Sequence, residues 1–399
     1  MPNRTKRSAV VLLCAAIGVG TAAVGRSVTR LRAQERAAKA ATPVPTTHVR
    51  STPENVTLGT FPIDRAPVAR VPSGSVVRVD TLSQRGATQQ EDPVKFLGAL
   101  GVKPDEILQD VKDLWAARAA RPQGERGGGG HILTGPLYVE GAAPGDTLMV
   151  EMLDLTTRVP YGINSTSSTG GVFAPTYGAA PGDQIPEIPP GTIHLIRTGM
   201  ASGRPVAFFS DSIHVPMAPF MGTMAVAPDH PTVGQPGVRV EGLQTSGPPG
   251  PYGGNMDFRE LKAGSTLYLP VFHPGALFYV GDPHGVQGDG EVSGNAIEQS
   301  LTGVFRFTVL KGRKIAGPRA ENDTHYFLMG IDTDLDRAMR KAVLETVDFL
   351  MKEKGLSAGK ALSLCSVAID FRIAEVVDGT QVVVGSVPKS LWLAANAGH

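Results

Sequence analysis

With 399 residues, 41% of them hydrophobic, the chain can bury a large core as one big domain or two intertwined ones. Its 38 basic and 37 acidic residues leave a formal charge of +1, so no electrostatic ground exists for a nucleic-acid partner, and a small molecule is expected instead. Forty-eight glycines and thirty-two prolines imply many turns and short strands, hence a β-rich fold with long loops.

Arg4, Lys6 and Arg7 precede an apolar run over residues 8–24 that ends in the small residues Thr21-Ala22-Ala23. That is the form of a secretory signal. The run is only 17 residues long and is followed by Arg26, Arg30 and Arg32, so an uncleaved N-terminal anchor is the alternative. Export to the periplasm or the exterior is the expectation, with no membrane association beyond that anchor. Cys14 lies inside the signal, which leaves Cys365 single on an apolar helical face, where it reads as a small core residue. Residues 1–25 are thus assigned to the signal or anchor and residues 26–53 to a flexible lead-in. Residues 54–399 form the main domain, divisible at about 54–250 and 251–399.

Within that domain one pattern recurs. Pro72-Ser73-Gly74-Ser75, Pro144-Gly145-Asp146 and Ala263-Gly264-Ser265 each make a turn that leads into a β-branched or apolar strand. Three such entries point to a sandwich or barrel assembly. Residues 104–119 read as a helix with Ile107, Leu108, Val111, Leu114 and Trp115 on its apolar face. The glycines at 127–130 lack the Lys-Ser/Thr of a phosphate-binding loop, so they read as a flexible turn. Residues 159–190 form a Gly/Pro/Ser-rich loop long enough to wall a pocket. Strands resume at 192–198 and 206–209, and the small apolar stretch 221–228 is expected to be buried. His214 reads as a structural histidine. Residues 265–280 read as strand, broken once at Pro274-Gly275.

The polar run Gly281-Asp282-Pro283-His284-Gly285-Val286-Gln287-Gly288-Asp289-Gly290-Glu291 follows directly. If Asp282 and His284 keep the strand period, both point to the same side, where a carboxylate and an imidazole can bind a divalent metal such as zinc. The plain alternative is a solvated Asp/Gly turn. An EF-hand is excluded, because the alternating Asp/Asn ligands and the Glu at the loop's end are missing. Beyond it, residues 332–354 form a helix with Thr333 as its cap, and a second helix capped by Ser357 runs to about 369. A hairpin around Asp378-Gly379 closes the fold, and the two helices pack on a sheet without joining the site. The fold class is α+β: mainly β in sandwich- or barrel-like units, with C-terminal helices packed on a sheet.

Taken together, these motifs resemble the acetamidase/formamidase family of amide hydrolases. The likeness is carried by His131-Ile132-Leu133-Thr134-Gly135-Pro136, Glu140-Gly141-Ala142-Ala143-Pro144-Gly145-Asp146, Gly253-Gly254-Asn255-Met256-Asp257 and Gly264-Ser265-Thr266-Leu267-Tyr268-Leu269-Pro270-Val271. Gly275-Ala276-Leu277-Phe278, Gly281-Asp282-Pro283-His284, Gln287-Gly288-Asp289-Gly290-Glu291, Ala296-Ile297-Glu298, Asp370-Phe371-Arg372 and Pro388-Lys389 continue it. The resemblance implies hydrolysis of formamide- or acetamide-like substrates to a carboxylate and ammonia, a β-sandwich within an α+β fold, a homo-oligomer, and bound zinc or calcium.

An unreactive amide needs an activated water, a polarised carbonyl and an acid for the leaving nitrogen. On that ground Asp282 and His284, joined by His131 and Asp257, are the expected metal ligands. Glu291 would move the proton, and Asn255 or Gln287 would hold the carboxamide. Asp289 and Glu298 read equally well as loop or strand-end structure, and Asp257 as a turn residue. One departure stands out: where the family commonly has His-Trp-Gly, this chain has Val56-Thr57-Leu58-Gly59, which puts a hydroxyl in place of an imidazole. Two other readings stay open: a hydrolase of a carbamate, ester or larger amide, and a secreted β-protein that binds a ligand or metal without turnover. No Gly-x-Ser-x-Gly elbow or His-Glu-x-x-His helix is present.

Overall fold

The three recurrent turns fold alike and feed one sheet. Gly74, Gly145 and Gly264 hold φ of 92°, 90° and 89°, left-handed backbone that glycine adopts without a steric penalty. They launch Val76–Asp80, Thr147–Thr157 and Thr266–Pro270. The computed structural model describes residues 42–122, 130–180, 182–229 and 244–392, so the expected signal at 1–25 lies outside the described residues. The chain divides into Met1–Val44 and Pro45–His399, and every element named here belongs to the second.

The nine-stranded sheet runs in the order Thr47–Val49, Val76–Asp80, Leu301–Leu310, Thr147–Thr157, Thr266–Pro270, Arg319–Glu321, His325–Asp332, Gln381–Pro388, Asp370–Glu375. Its first pair is parallel and the rest are antiparallel. Strands from both sides of residue 250 alternate in it, and Thr47–Val49 is already a strand within the segment expected to be a lead-in.

A six-stranded sheet faces it. There Gly253–Asn255, Phe220–Val226, Phe278–His284, Ile132–Val139 and Val56–Leu58 lie side by side, with Ala69–Val71 added parallel to Ile132–Val139. The main core fills the space between, joining Val77, Leu148, Leu267, Phe305 and Phe307 of one sheet to Leu133, Met224, Phe278 and Val280 of the other. Phe278 meets Phe307 edge-on at 5.0 Å. This is the sandwich expected, built on alternating inward side chains.

The apolar stretch 265–280 is two strands in different sheets, because Gly275, Ala276 and Leu277 all hold positive φ (77°, 59° and 57°) and carry the chain across the core. Tyr161–Thr166, Thr192–Ala201, Arg204–Phe208 and His214–Pro216 make a separate four-stranded sheet. The first helical region is Pro93–Ala99 and Gln109–Ala119, so the helix expected at 104–119 begins later, after a turn. Leu335–Lys354 is capped by Asp334, whose carboxylate accepts from Arg337 N at 2.8 Å, in place of Thr333. That helix and Ala358–Ala368 pack on the end of the large sheet, with Leu328, Phe349, Leu350, Cys365 and Val387 in a second small core.

Candidate functional site

The site forms where Phe220–Val226 and Phe278–His284 run antiparallel in the six-stranded sheet. The second strand continues past Val280 to His284, so Asp282 and His284 stand on the strand itself and not in the solvated turn that was the alternative. They keep its period of two and meet: Asp282 Oδ2 is 3.3 Å from His284 Nε2. Glu298 Oε1 lies at 3.3 Å from the same nitrogen and Glu291 Oε1 at 3.9 Å, while Asp257 Oδ1 is 3.8 Å from Nδ1 on the other edge of the ring. Phe220 covers the ring edge-on at 5.1 Å, and His284 has no exposed surface. Asp257, Asp282 and Glu291 each hold left-handed backbone, with φ of 42°, 50° and 46°. Non-glycine residues pay about 1–3 kcal/mol each for such conformations, which persist where the surroundings over-determine them.

Each remaining expected residue has a definite place. His131 Nε2 is 3.9 Å from Asp282 Oδ2, so both imidazoles reach the same carboxylate from segments far apart in sequence. His131 is nevertheless absent from the groups of donor atoms that converge to within 4.8 Å. Asn255 spends both amide hydrogens on carboxylates, donating to Asp257 Oδ2 and Asp378 Oδ2 at 2.7 Å each, and its oxygen accepts from Thr223. It therefore positions acids and has no free donor for a substrate carboxamide. Gln287 donates to the Asp257 carbonyl at 2.7 Å and keeps a buried oxygen without a partner. Thr57 donates to the Thr60 carbonyl at 2.8 Å and lines a different cleft, beside Arg65 and Arg118. Asp289 is on the rim, ion-paired with Arg372 at 3.0 Å. His214 is exposed on its strand and packs against Phe208, away from this cluster.

Several members were not legible as such. Glu298, read equally as strand-end structure, belongs to the cluster, and its carboxylate also accepts from Gln84 Nε2 and Ala296 N at 3.1 Å each. The C-terminal hairpin is no bystander. Its turn brings Asp378 to Asn255, and its strand brings Glu375, fully buried, beside the Gly290 backbone. The Asp378-Gly379 pair had only the signature of a turn. From the loop expected to wall a pocket, Val172 N donates to Val292 O at 2.9 Å. Tyr177 follows on that loop. Burial raises its hydroxyl pKa to about 12, and the charges of Asp378, Glu375 and Glu291 add to the shift.

Carboxylates outnumber cations here, and the titration behaviour follows. Burial first, then the charges of Glu291 and Asp282, push Asp257 well above the usual carboxylate range. Burial, Asp378, Asp282 and Glu298 do the same to Glu291, and burial with Asp378 to Glu375. Burial raises Asp378 while His131 and Asn255 pull it back, leaving it at about 6. Burial opposes charge on Asp282 and on His284 alike, but their mutual attraction, aided by His131 and Glu298, holds Asp282 low and His284 high.

These shifts predict how the cation-free protein responds to pH. A carboxyl raised in the folded state stabilises fully below its unfolded value, 3.8 for Asp and 4.5 for Glu, and that contribution is lost as pH climbs through the folded value. His284, also raised, has the same sign, while depressed Asp282 acts only below this window. Chelator-treated protein should therefore show a melting temperature that falls as pH climbs above the ordinary carboxylate range, with Asp378 contributing near pH 6, and added divalent cation should flatten the slope. Differential scanning calorimetry at fixed ionic strength reads this directly.

The residues fit a bound cation. Ligand atoms of Asp257, Asp282 and His284 lie within 4.8 Å of one another, as do those of His284, Glu291 and Glu298, and those of Asp257, Glu291 and Asp378. Asp257 Oδ1, Asp282 Oδ1 and both His284 ring nitrogens are buried with no hydrogen-bond partner, an arrangement that is costly unless something else satisfies them. Gly222 leaves the space they face: a Cβ there would stand 2.3 Å from Asp257 Oδ1, 2.6 Å from Asp282 Oδ2 and 2.9 Å from His284 Cε1.

Comparison with known proteins places this geometry. The model of the Acetamidase/Formamidase family matches residues 128–246 and 235–392. A formamidase-like protein of Schizosaccharomyces pombe is 31% identical over 248 residues, covering 53% of this chain and 56% of that protein. The formamidase of Methylophilus methylotrophus is 27% identical over 316 residues, covering 62% and 73%. The chain thus spans little more than half of the first of these relatives. Among solved structures, an acetamidase from Bacillus halodurans superposes with a TM-score of 0.65 at 25% identity, covering 86% of this chain and 98% of that one. An acetamidase from Yersinia enterocolitica shares the fold, with a TM-score of 0.68 at 24% identity and coverage of 88% and 94%. With the motifs, the sandwich and the buried acid–histidine cluster all in place, the chain belongs to the acetamidase/formamidase family.

Proposed function

We propose that the protein hydrolyses the C–N bond of short aliphatic amides to a carboxylate and ammonia at the Asp257–Asp282–His284–Glu291 cluster. The observation that carries this reading is a buried, partnerless donor set that Glu291 joins, Glu291 and Gln287 also lining a cleft. Asp282, His284 and Asp257 would hold a divalent cation, zinc by the imidazole-plus-carboxylate donors or calcium by the surplus of oxygens. When bound, the cation polarises the amide carbonyl and lowers the pKa of water.

The protein's own groups do the rest. Gln287 Oε1 accepts a hydrogen bond from the substrate N–H and fixes the amide plane. Glu291, its carboxyl made more basic by burial and by the neighbouring acids, takes a proton from water as the new C–O bond forms. It then returns that proton to nitrogen as the C–N bond breaks, so ammonia leaves and the carboxyl group regains its starting state. Asn255 bridges and orients Asp257 and Asp378, and His131 faces the same Asp282 oxygen that His284 approaches. Export, suggested by the N-terminal apolar run, and homo-oligomer assembly, suggested by the family, complete the reading.

Ammonia release from formamide and acetamide by the purified protein tests it. Turnover of either is expected, and ammonia from neither would remove the short-amide assignment. A larger amide is the second reading, favoured by the size of the adjoining cleft, about 520 Å³.

A further inference from the structure

The cleft beside Glu291 is far roomier than acetamide needs. At about 520 Å³ it falls in the range of roughly 300–1,000 Å³ that takes ligands of much greater size. Ile196, Met217 and Val286 give it an apolar side, and Gln287, Glu291 and Arg259 also line it. An amide bound with its reactive end at Gln287 and Glu291 would leave the remaining space for an acyl chain.

The charges around this cleft are largely committed. Asp289 is paired with Arg372 at 3.0 Å, and Glu260 with Lys262 at 2.9 Å and Arg372 at 3.3 Å. Arg259 is different: it is half-buried, lines the cleft, and has no side-chain hydrogen bond or ion pair among the described residues. A partly desolvated guanidinium without a partner is unfavourable, and its planar fork suits a carboxylate held by two parallel hydrogen bonds. Sequence places it two residues after Asp257, so the same turn that carries a cluster acid also carries the cation.

We infer that the physiological substrate is a primary amide whose acyl chain ends in a carboxylate, and that Arg259 recognises that carboxylate. The inference rests on the amidase reading and narrows it. Because the leaving group of a primary amide is ammonia, the second charge must lie on the acyl side. Its apolar middle would lie along Ile196, Met217 and Val286.

Glutaramate and valeramide form the test pair, since they match in length and differ by a carboxylate for a methyl. The wild-type protein should prefer glutaramate by about tenfold or more in kcat/KM. Arg259→Gln should bring that preference close to unity, with the loss in KM for glutaramate, and Arg259→Lys should keep part of it. Equal kcat/KM for the two amides in wild type, or an equal loss on both in Arg259→Gln, would overturn the inference. Calorimetric binding of glutaramate needs no turnover and separates the two claims. If no amide is hydrolysed, the amidase reading falls and the substrate assignment with it, while glutaramate binding weakened about tenfold in Arg259→Gln would still support carboxylate recognition by Arg259. Binding unchanged by the substitution would overturn it.

Discussion

Gly222→Ala is expected to cut amide hydrolysis by at least about 10²-fold and to abolish tight binding of a divalent cation. The backbone does not forbid alanine, since Gly222 lies within the strand Phe220–Val226 and its φ is not among the positive ones. Space forbids it. The strand pairs Met221 with Pro283 and Thr223 with Gly281, which sets Gly222 opposite Asp282. Its added methyl would press on Asp257 Oδ1 at 2.3 Å and Asp282 Oδ2 at 2.6 Å, well inside van der Waals contact. Either both carboxylates rotate away from His284 or the strands separate, and the overpacking costs about 1–3 kcal/mol. Gly288→Ala is the matched control: a Cβ there meets nothing within 4 Å, so activity and stability should stay near wild type. Wild-type turnover and cation affinity in Gly222→Ala would mean that the enclosed space has no part in the chemistry.

Glu291→Gln should lower kcat by about 10²–10⁴-fold while leaving the fold intact. Its left-handed backbone (φ 46°) and burial fix the carboxyl near the His284 ring, 3.9 Å from Nε2. The amide replacement keeps shape and hydrogen-bonding reach but can neither accept nor return the proton. Stability should hold or rise, because Glu291 sits among Asp378, Asp282, Glu298 and Glu375, and removing one acid relieves like-charge repulsion. Steady-state kinetics on acetamide together with a melting curve separate the two effects. A near-normal kcat would take Glu291 out of its proposed role.

The pattern of what could be read from sequence has a physical logic. The sandwich was legible because turn–strand units repeat, with glycine at each entry and alternating apolar residues behind it. Asp282 and His284 were legible because a two-residue period forces both onto one side of the strand. Glu375 and Asp378 were not, because their meetings with Gly290 and with Asn255 depend on how the C-terminal hairpin docks against segments far earlier in the chain. Gly222 was hidden in a small apolar strand whose only signal was a glycine in its interior, a mark of close approach. Asn255 misled for the opposite reason: a carboxamide can serve a substrate or neighbouring acids, and only the hydrogen-bond partners separate the two. The start of the helix at Gln109 was blurred because Ile107 is buried like the helical face that follows it.

The most direct test of the central claim is ammonia release from acetamide by protein stripped with a chelator and then titrated with zinc or calcium. The cluster of Asp257, Asp282 and His284 predicts that turnover is lost on stripping and returns in proportion to the cation bound. Full turnover by protein holding no detectable divalent cation would contradict it.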